Sequence, residues 1–208
     1  MSNPTLFLIA EPKLFEKFLQ LLQKGVKVSA RVGSTVLAFL CDDLGLSAEY
    51  VDKRIQTLFL NGKAIDNPDT ALLREDSTLA LSAAMPGLLG ATLRKGSFYA
   101  RMRSEISHQE QGQGVTVHEG LVLLKLFNLL PAEIGPTVLK RGIWVKGEDL
   151  NQFFKELSDE MVAGCTDAKV DGQTVNLKDF AEKSSKYELV LVKAQSTPSA
   201  AGDGRKHS

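Results

Sequence analysis

Thr57-Leu-Phe-Leu60-Asn61-Gly62-Lys63-Ala-Ile-Asp66 decides how the chain is read. Two apolar runs flank Asn61-Gly62, and both central positions of a two-residue hairpin turn need positive φ, which Asn and Gly adopt at least cost. Working toward the N-terminus, Leu44 and Gly45 close a stripe formed by Val36, Leu37, Leu40 and Cys41 at helical spacing, with Ser34 placed to cap it. Before that helix, Val26, Val28, Ala30 and Val32 alternate with Lys27, Ser29 and Arg31, the period of a strand with one buried face. Earlier still, Pro12 opens and Gly25 closes a helix whose stripe is Leu14, Phe15, Phe18, Leu19 and Leu22, and Thr5 to Ala10 is an apolar strand. Downstream of the hairpin, Leu79, Leu81 and Ala83 alternate as a closing strand. The order is β-α-β-α-β-β-β.

The pattern then recurs. An offset of 117 residues carries Leu22 to Leu139, Gly25 to Gly142, Val26 and Val28 to Ile143 and Val145, and Val36, Leu37, Leu40 and Leu44 to Phe153, Phe154, Leu157 and Met161. An offset of 110 carries Asn61-Gly62 to Asp171-Gly172, and Leu79 and Leu81 to Leu189 and Leu191. One offset for stripes and strand, and a second shorter by a single seven-residue deletion for turn and closing strand, imply two copies of one unit. Between them, Pro86 to Gly96 is glycine-bearing and aperiodic, residues 98–107 alternate, His108 to Gly114 is a polar turn, and Val115 to Phe127 is a return strand with a bulge expected at Gly120. The expectation is an α+β protein of two tandem domains, residues 1–90 and 121–193. A linker and extra hairpin at 91–120 join them, and a disordered tail covers 194–208.

Composition narrows the function classes. Twenty-five Lys plus Arg balance 25 Asp plus Glu, so no overall field draws the chain to nucleic acid or anionic lipid. No apolar run approaches the roughly 20 residues a bilayer crossing needs, and no signal-peptide pattern opens the chain, so a cytoplasmic protein is expected. Cys41 and Cys165 are too few for a disulfide framework. His108, His118 and His207 do not fall at ligand spacing with each other or with cysteine, so neither a metal nor a cofactor is expected.

The order of elements, with a helix between the first two strands and an Asn-Gly hairpin late in the unit, resembles the β-grasp, ubiquitin-like fold. Residues 3–90 look most like the sulfur carriers, the molybdopterin synthase small subunit and the thiamine sulfur carrier. The matching residues are Ser34-Thr35-Val36, Leu44-Gly45-Leu46, Leu60-Asn61-Gly62-Lys63, Thr70, Leu72-Leu73, Asp76, Leu79, Leu81 and Pro86-Gly87. The resemblance implies a carrier tail at Gly87 and Gly90. These glycines are separated by Leu88-Leu89 and followed by more than a hundred residues, so the carboxylate that sulfur carriers activate exists here only after cleavage near Gly90.

No catalytic residues are read from the sequence, and no feature of it argues for an enzyme. The leading expectation is a protein-binding or scaffolding module with a protein partner. The alternatives are a sulfur-carrier or modifier precursor and an RNA-binding module. The RNA reading rests on Arg94, Lys95, Arg101 and Arg103 interleaved with Phe98 and Tyr99, although neutral net charge disfavours nucleic acid. The 98–127 hairpin offers a route to a homodimer by strand addition. Trp144 should face away from Ile143 and Val145, as an interface residue or under the other domain.

Overall fold

A computed structural model of the chain describes residues 3–83, 94–95 and 116–198. Its elements are β1 (Thr5–Ala10), α1 (Pro12–Lys24), β2 (Val26–Val32), α2 (Val36–Ala38) running into a π-helical turn (Phe39–Asp43), α3 (Ala48–Lys53), β3 (Thr57–Leu60), β4 (Lys63–Ala64) and β5 (Thr78–Ser82). There follow β6 (His118–Phe127), α4 (Leu130–Arg141), β7 (Ile143–Val145), α5 (Gly147–Lys155), α6 (Asp159–Ala163), β8 (Cys165–Val170), β9 (Gln173–Thr174), α7 (Leu177–Ser184) and β10 (Val190–Ser196). The fold is mixed α/β. The ten strands among the described residues form one sheet, in the order β4-β3-β5-β6-β2-β7-β10-β1-β8-β9.

The strand pairing does not divide at residue 90. β6 lies between β2 and β5, antiparallel to the first and parallel to the second. β1 lies between β10, to which it is parallel, and β8, to which it is antiparallel. Each half of the sheet therefore takes one strand from the opposite end of the chain, and α1 and α4 are the crossovers between halves. They pack side by side at Gly135, where a Cβ would stand 2.6 Å from Leu19 Cδ2 and 2.9 Å from Leu22 Cδ1. That contact keeps α4 helical across Gly135-Pro136, a pair that disfavours helix in isolation. Leu6, Leu8, Val26, Val28, Val122, Leu124, Val190 and Val192 join Leu14, Phe18, Leu22, Ile134, Val138 and Leu139 in one core. Each fully buried apolar side chain of this size contributes roughly 1.5–3 kcal/mol of transfer free energy.

The register is two-fold symmetric about the pair Lys27–Trp144, the one register pair joining β2 to β7. Thr78↔Leu123 and Leu81↔Leu126 on one side match Thr5↔Leu191 and Leu8↔Ala194 on the other. Leu58↔Leu81 matches Ala168↔Leu8. The hairpin turns agree in detail. Asn61 and Asp171 have φ of 51° and 49°, and their side-chain oxygens accept from Thr78 N at 2.8 Å and Thr5 N at 2.9 Å. Gly25 and Gly142 end α1 and α4 at φ 111° and 121°, open only to glycine, and lie against Leu123 with Lys125 and against Leu191 with Lys193.

Several expectations are corrected. The counterpart of β5 is β1, not β10: Thr5-Leu-Phe-Leu-Ile-Ala10 and Thr78-Leu-Ala-Leu-Ser-Ala83 share a pattern, as do Leu121-Val-Leu-Leu-Lys125 and Leu189-Val-Leu-Val-Lys193. β6 carries no bulge at Gly120. The missing side chain there makes room for the Glu75 carboxylate, which accepts from Leu121 N at 3.0 Å. The expected tail begins too early, since β10 runs to Ser196 with Ala194 fully buried. Thr35, not Ser34, caps α2. Asp42 and Asp43 do more than sit in solvent: Asp43 accepts from the Arg31 backbone N–H at 3.2 Å and from Nε at 2.8 Å, and Asp42 takes Nη2 at 2.8 Å. With Arg141 donating to Ser29 O at 3.4 Å, they satisfy the part of β2 that extends past the short β7. The expected hairpin strand at 98–107 lies outside the described residues, so the homodimer route through it is not described either.

A second tie joins α3 to the first turn of α4. Arg54 grips the Glu133 carboxylate with Nε and Nη2, and the Tyr50 hydroxyl donates to the same carboxylate at 2.7 Å. The Arg54 hydrogen bonds, opposed by partial burial and helped by Tyr50, hold Glu133 at about 2. Burial first, then the Glu133 contact, pushes the Tyr50 phenol above its usual range.

Two outcomes follow from this architecture. Residues 1–90 expressed alone leave β2 and β5 without β6, and β1 without β10 and β8. That fragment should give a random-coil amide spectrum, and native dispersion should return on mixing with residues 91–208. Glu133 has a folded pKa below its unfolded one, so its contribution is complete above about pH 4.5 and fades as pH falls toward 2. In urea titrations Glu133→Gln should be less stable than the parent at pH 6, and the gap should close between about pH 4.5 and 2.

Candidate functional site

The two-fold register is broken on one side of the Lys27–Trp144 pair. β2 continues through Ser29, Ala30, Arg31 and Val32, whereas the matching residues Lys146, Gly147, Glu148 and Asp149 leave the sheet and open α5. The turn is enforced by Gly147: a Cβ there would collide with the backbone carbonyls of Ser184 and Tyr187, because the start of α5 is pressed against the end of α7. The buried Ser184 hydroxyl completes the contact, 2.8 Å from Gly147 O and 2.6 Å from Ala181 O. Where β2's counterpart would have run, a cleft of about 450 Å³ opens, within the size range of ligand pockets.

The floor of the cleft is apolar. Leu21, Leu123, Trp144, Val145, Phe153 and Leu189 line it. Phe153 is held by Phe18 of α1, centroids 4.9 Å apart, and by its neighbour Phe154 at 5.3 Å, so an aromatic cluster supports this wall from the core. Trp144 is half-buried, and its indole N–H donates to Ser29 Oγ at 3.0 Å, which fixes the ring beside the seam.

The rim is divided by charge. The end of α1 and the start of β2 present Lys24 and Lys27, with Lys146 at the end of β7; α5 presents Asp149 and Glu156, with Glu188 before β10. Lys27 Nζ is engaged by Asp76 at 2.7 Å, and the Gln152 amide donates to Glu156 at 3.0 Å. Lys24, Lys146, Asp149 and Glu188 are exposed and enter no ion pair among the described residues. Helix dipoles favour a cation at the end of α1 and an anion in the first turn of α5, so the placement of Lys24 and Asp149 is locally stable without a partner. Neither histidine nor cysteine lines the cleft. What the arrangement can do is hold an apolar body and orient charges at its ends.

The sequence-derived candidates are not gathered at this cleft, Trp144 excepted. Trp144 is half-buried, pairs with Lys27 at the seam and lines the cleft. Lys95 is drawn against α3: its backbone N–H donates to Gln56 O at 2.9 Å, and its ammonium donates to Val51 O at 2.8 Å and stands 3.4 Å from Asp52. Lys95 and Arg94 line a separate pocket of about 320 Å³ with Asp52, Gln56 and Asp66. Phe98, Tyr99, Arg101, Arg103, Gly87 and Gly90 lie outside the described residues. Burial pushes the thiols of Cys41 and Cys165 up, away from the nucleophilic thiolate, and Cys165 donates to Asp167 O at 3.2 Å. Among the described residues no group of three His, Cys, Asp or Glu could hold a metal ion, and no helix is long and apolar enough to cross a membrane. Lys24, Asp149, Glu156 and Glu188 were invisible as a set because they come from three elements that meet only where β7 stops short.

No family model, curated protein or solved structure matches the chain.

Gly147 is the residue on which the cleft wall depends. Gly147→Ala should cost about 2–3 kcal/mol, since the collision is with backbone that cannot rotate away. Thermal unfolding should fall by roughly 4–12 °C, and the emission of Trp144, the sole tryptophan, should shift before the global transition as α5 detaches.

Proposed function

We propose that this chain is a non-enzymatic binding protein, built from two β-grasp-type sheet halves, that docks a protein partner at the cleft beside the Lys27–Trp144 seam. The β-grasp reading is supported by strand direction. In each half a parallel central pair is flanked by antiparallel strands, β2-β6-β5-β3-β4 on one side and β7-β10-β1-β8-β9 on the other. The binding reading rests on one observation: the internal symmetry is broken where an apolar floor with unpaired charges on its rim is opened. Half-buried Trp144 and Leu189 beside exposed Lys24, Asp149 and Glu188 have the apolar centre and polar rim of a protein interface.

The carrier-precursor alternative has a physical objection. Cleavage after Gly90 would place β5 and its parallel neighbour β6 in different pieces, and β2 pairs with the same strand. A piece ending at Gly90 would stay bound to the rest of the chain through β6 or lose a central strand of its sheet, and either outcome weighs against a carrier acting alone. The RNA reading loses Lys95 as a free cation, since its side chain is 14% exposed and engaged by α3.

The proposal is tested by placing a photo-crosslinking amino acid at exposed Gln152, inside the cleft, and at exposed Lys63 on the far edge of the sheet, in cells that make the protein. A discrete protein adduct from residue 152 that is absent from residue 63, and lost when Leu189→Asp is added to a chain with an unchanged circular dichroism spectrum, is the expected result. No adduct, or equal labelling from both positions, sinks the reading.

A further inference from the structure

The pocket that holds Arg94 and Lys95 has a counterpart in the other half of the sheet. Asp52, Gln56 and Asp66 line the first, of about 320 Å³; Ala163, Thr166 and Asn176 stand at the equivalent positions and line the second, of about 500 Å³. Hydrogen bonds carry the correspondence as well as register. Ile65 N donates to Leu58 O at 2.8 Å and Val175 N to Ala168 O at 3.0 Å, the acceptors lying two residues past Gln56 and Thr166. Ser47 and Ser158 cap α3 and α6, and Val51 and Val162 are the buried residue of each. In the first half Lys95 completes the edge of β3: its N–H donates to Gln56 O, and its ammonium donates to Val51 O in the last turn of α3. In the second half, β9 pairs with β8 only at Lys169 and Val170, so β8 meets the pocket at Thr166 beside the end of α6.

The counterpart of Lys95 lies past Pro198, outside the described residues. An offset of 111 carries Arg94-Lys-Gly-Ser97 onto Arg205-Lys-His-Ser208, one residue from the offset of 110 that relates the two hairpins. The distance is short. Ser196 at the end of β10 pairs with Ala10, and Ala10 with Cys165, which lines the second pocket, so the chain leaves the sheet two strand spacings, about 10 Å, from it. The nine residues from there to Arg205 can span about 30 Å. We propose that Arg205-Lys206 docks in this pocket, with the Lys206 N–H donating to Thr166 O and its ammonium to the last-turn carbonyl of Val162. Ala163 and Asn176 replace Asp52 and Asp66, so the pair is held by carbonyls here where carboxylates assist in the first half. Tethering raises the effective concentration of the segment to about the millimolar range, so a few hydrogen bonds are enough to hold it. Docked, it covers the edge of β8 against strand addition by another chain, as Lys95 covers β3.

Cys165 lines the pocket and Cys41 does not, so alkylation of the full chain, read at each cysteine by peptide mass, reports occupancy with an internal control. The rate at Cys165 follows the undocked fraction. A docked population of roughly 70–90% makes the variant carrying Arg205→Glu and Lys206→Glu react about three- to tenfold faster there. Cys41 should be unaffected, and Lys206→Arg, which keeps the cation, should keep the parent rate at Cys165. An unchanged rate at Cys165 in the double variant, or equal acceleration of both cysteines, would overturn the proposal. A photo-crosslinking amino acid at exposed Thr166 identifies the occupant directly. The expected product has the mass of one chain, with the link to residues 199–208; an adduct with a second copy or with another protein in its place assigns the pocket to that molecule and removes the proposal.

Discussion

The parallel pairing of β1 with β10 is the contact on which the rest of the structure depends. It joins Thr5–Ala10 to Leu191–Ser196, nearly the full length of the described chain, and it places α1 across the sheet so that β2 emerges on the far side of β7. Because β6 is inserted between β2 and β5 in the same way, neither half can close its hydrogen bonds from local sequence. Such a topology has high contact order, and loop-closure entropy must be met before the long-range pairs stabilise anything. The half that contains β1 cannot be completed until β10 has been synthesised.

The symmetry of the register and its single large departure have one origin. Gly25 and Gly142 turn the chain identically out of two crossover helices, delivering β2 and β7 to equivalent places against β6 and β10. What differs is how long each strand then continues. β2 has seven residues and needs Asp43 and Arg141 to satisfy its unpaired inner edge; β7 has three, and Gly147 diverts it into α5. The cleft, its aromatic floor and its divided rim are consequences of that early stop. Function on this molecule is thus proposed where symmetry fails, and the Gly135 contact braces α1, the crossover whose end lines the cleft.

Local signals in the chain are legible because they depend on one residue and its neighbours. Alternation marked β2, the stripe marked α1, and Asn61-Gly62 and Asp171-Gly172 marked the two hairpins, whose left-handed residues appear at nearly equal φ. Gly25 and its counterpart Gly142 were found by the repeat. The partner of each strand was not legible. Leu79 and Leu81 match Leu189 and Leu191 about as well as they match Leu6 and Leu8, because any strand buried on one face shows the same alternation. α5 was displaced for a related reason: the repeat offset carries Gly147 onto Ala30, in the middle of a strand, and only the backbone of Ser184 dictates otherwise.

Taken by itself, the amino-acid sequence determined β1, α1, β2, β3 and the turns at Asn61-Gly62 and Asp171-Gly172, all set by steric preference and hydrophobic period within a few residues. Tertiary structure alone decided that each half of the sheet takes a strand from the opposite end of the chain, that Trp144 meets Lys27 at the seam, and that charges from α1, α5 and the approach to β10 surround one apolar floor. Those outcomes depend on pairing between distant segments, where many registers satisfy the same local pattern and the choice is made by packing of the whole core.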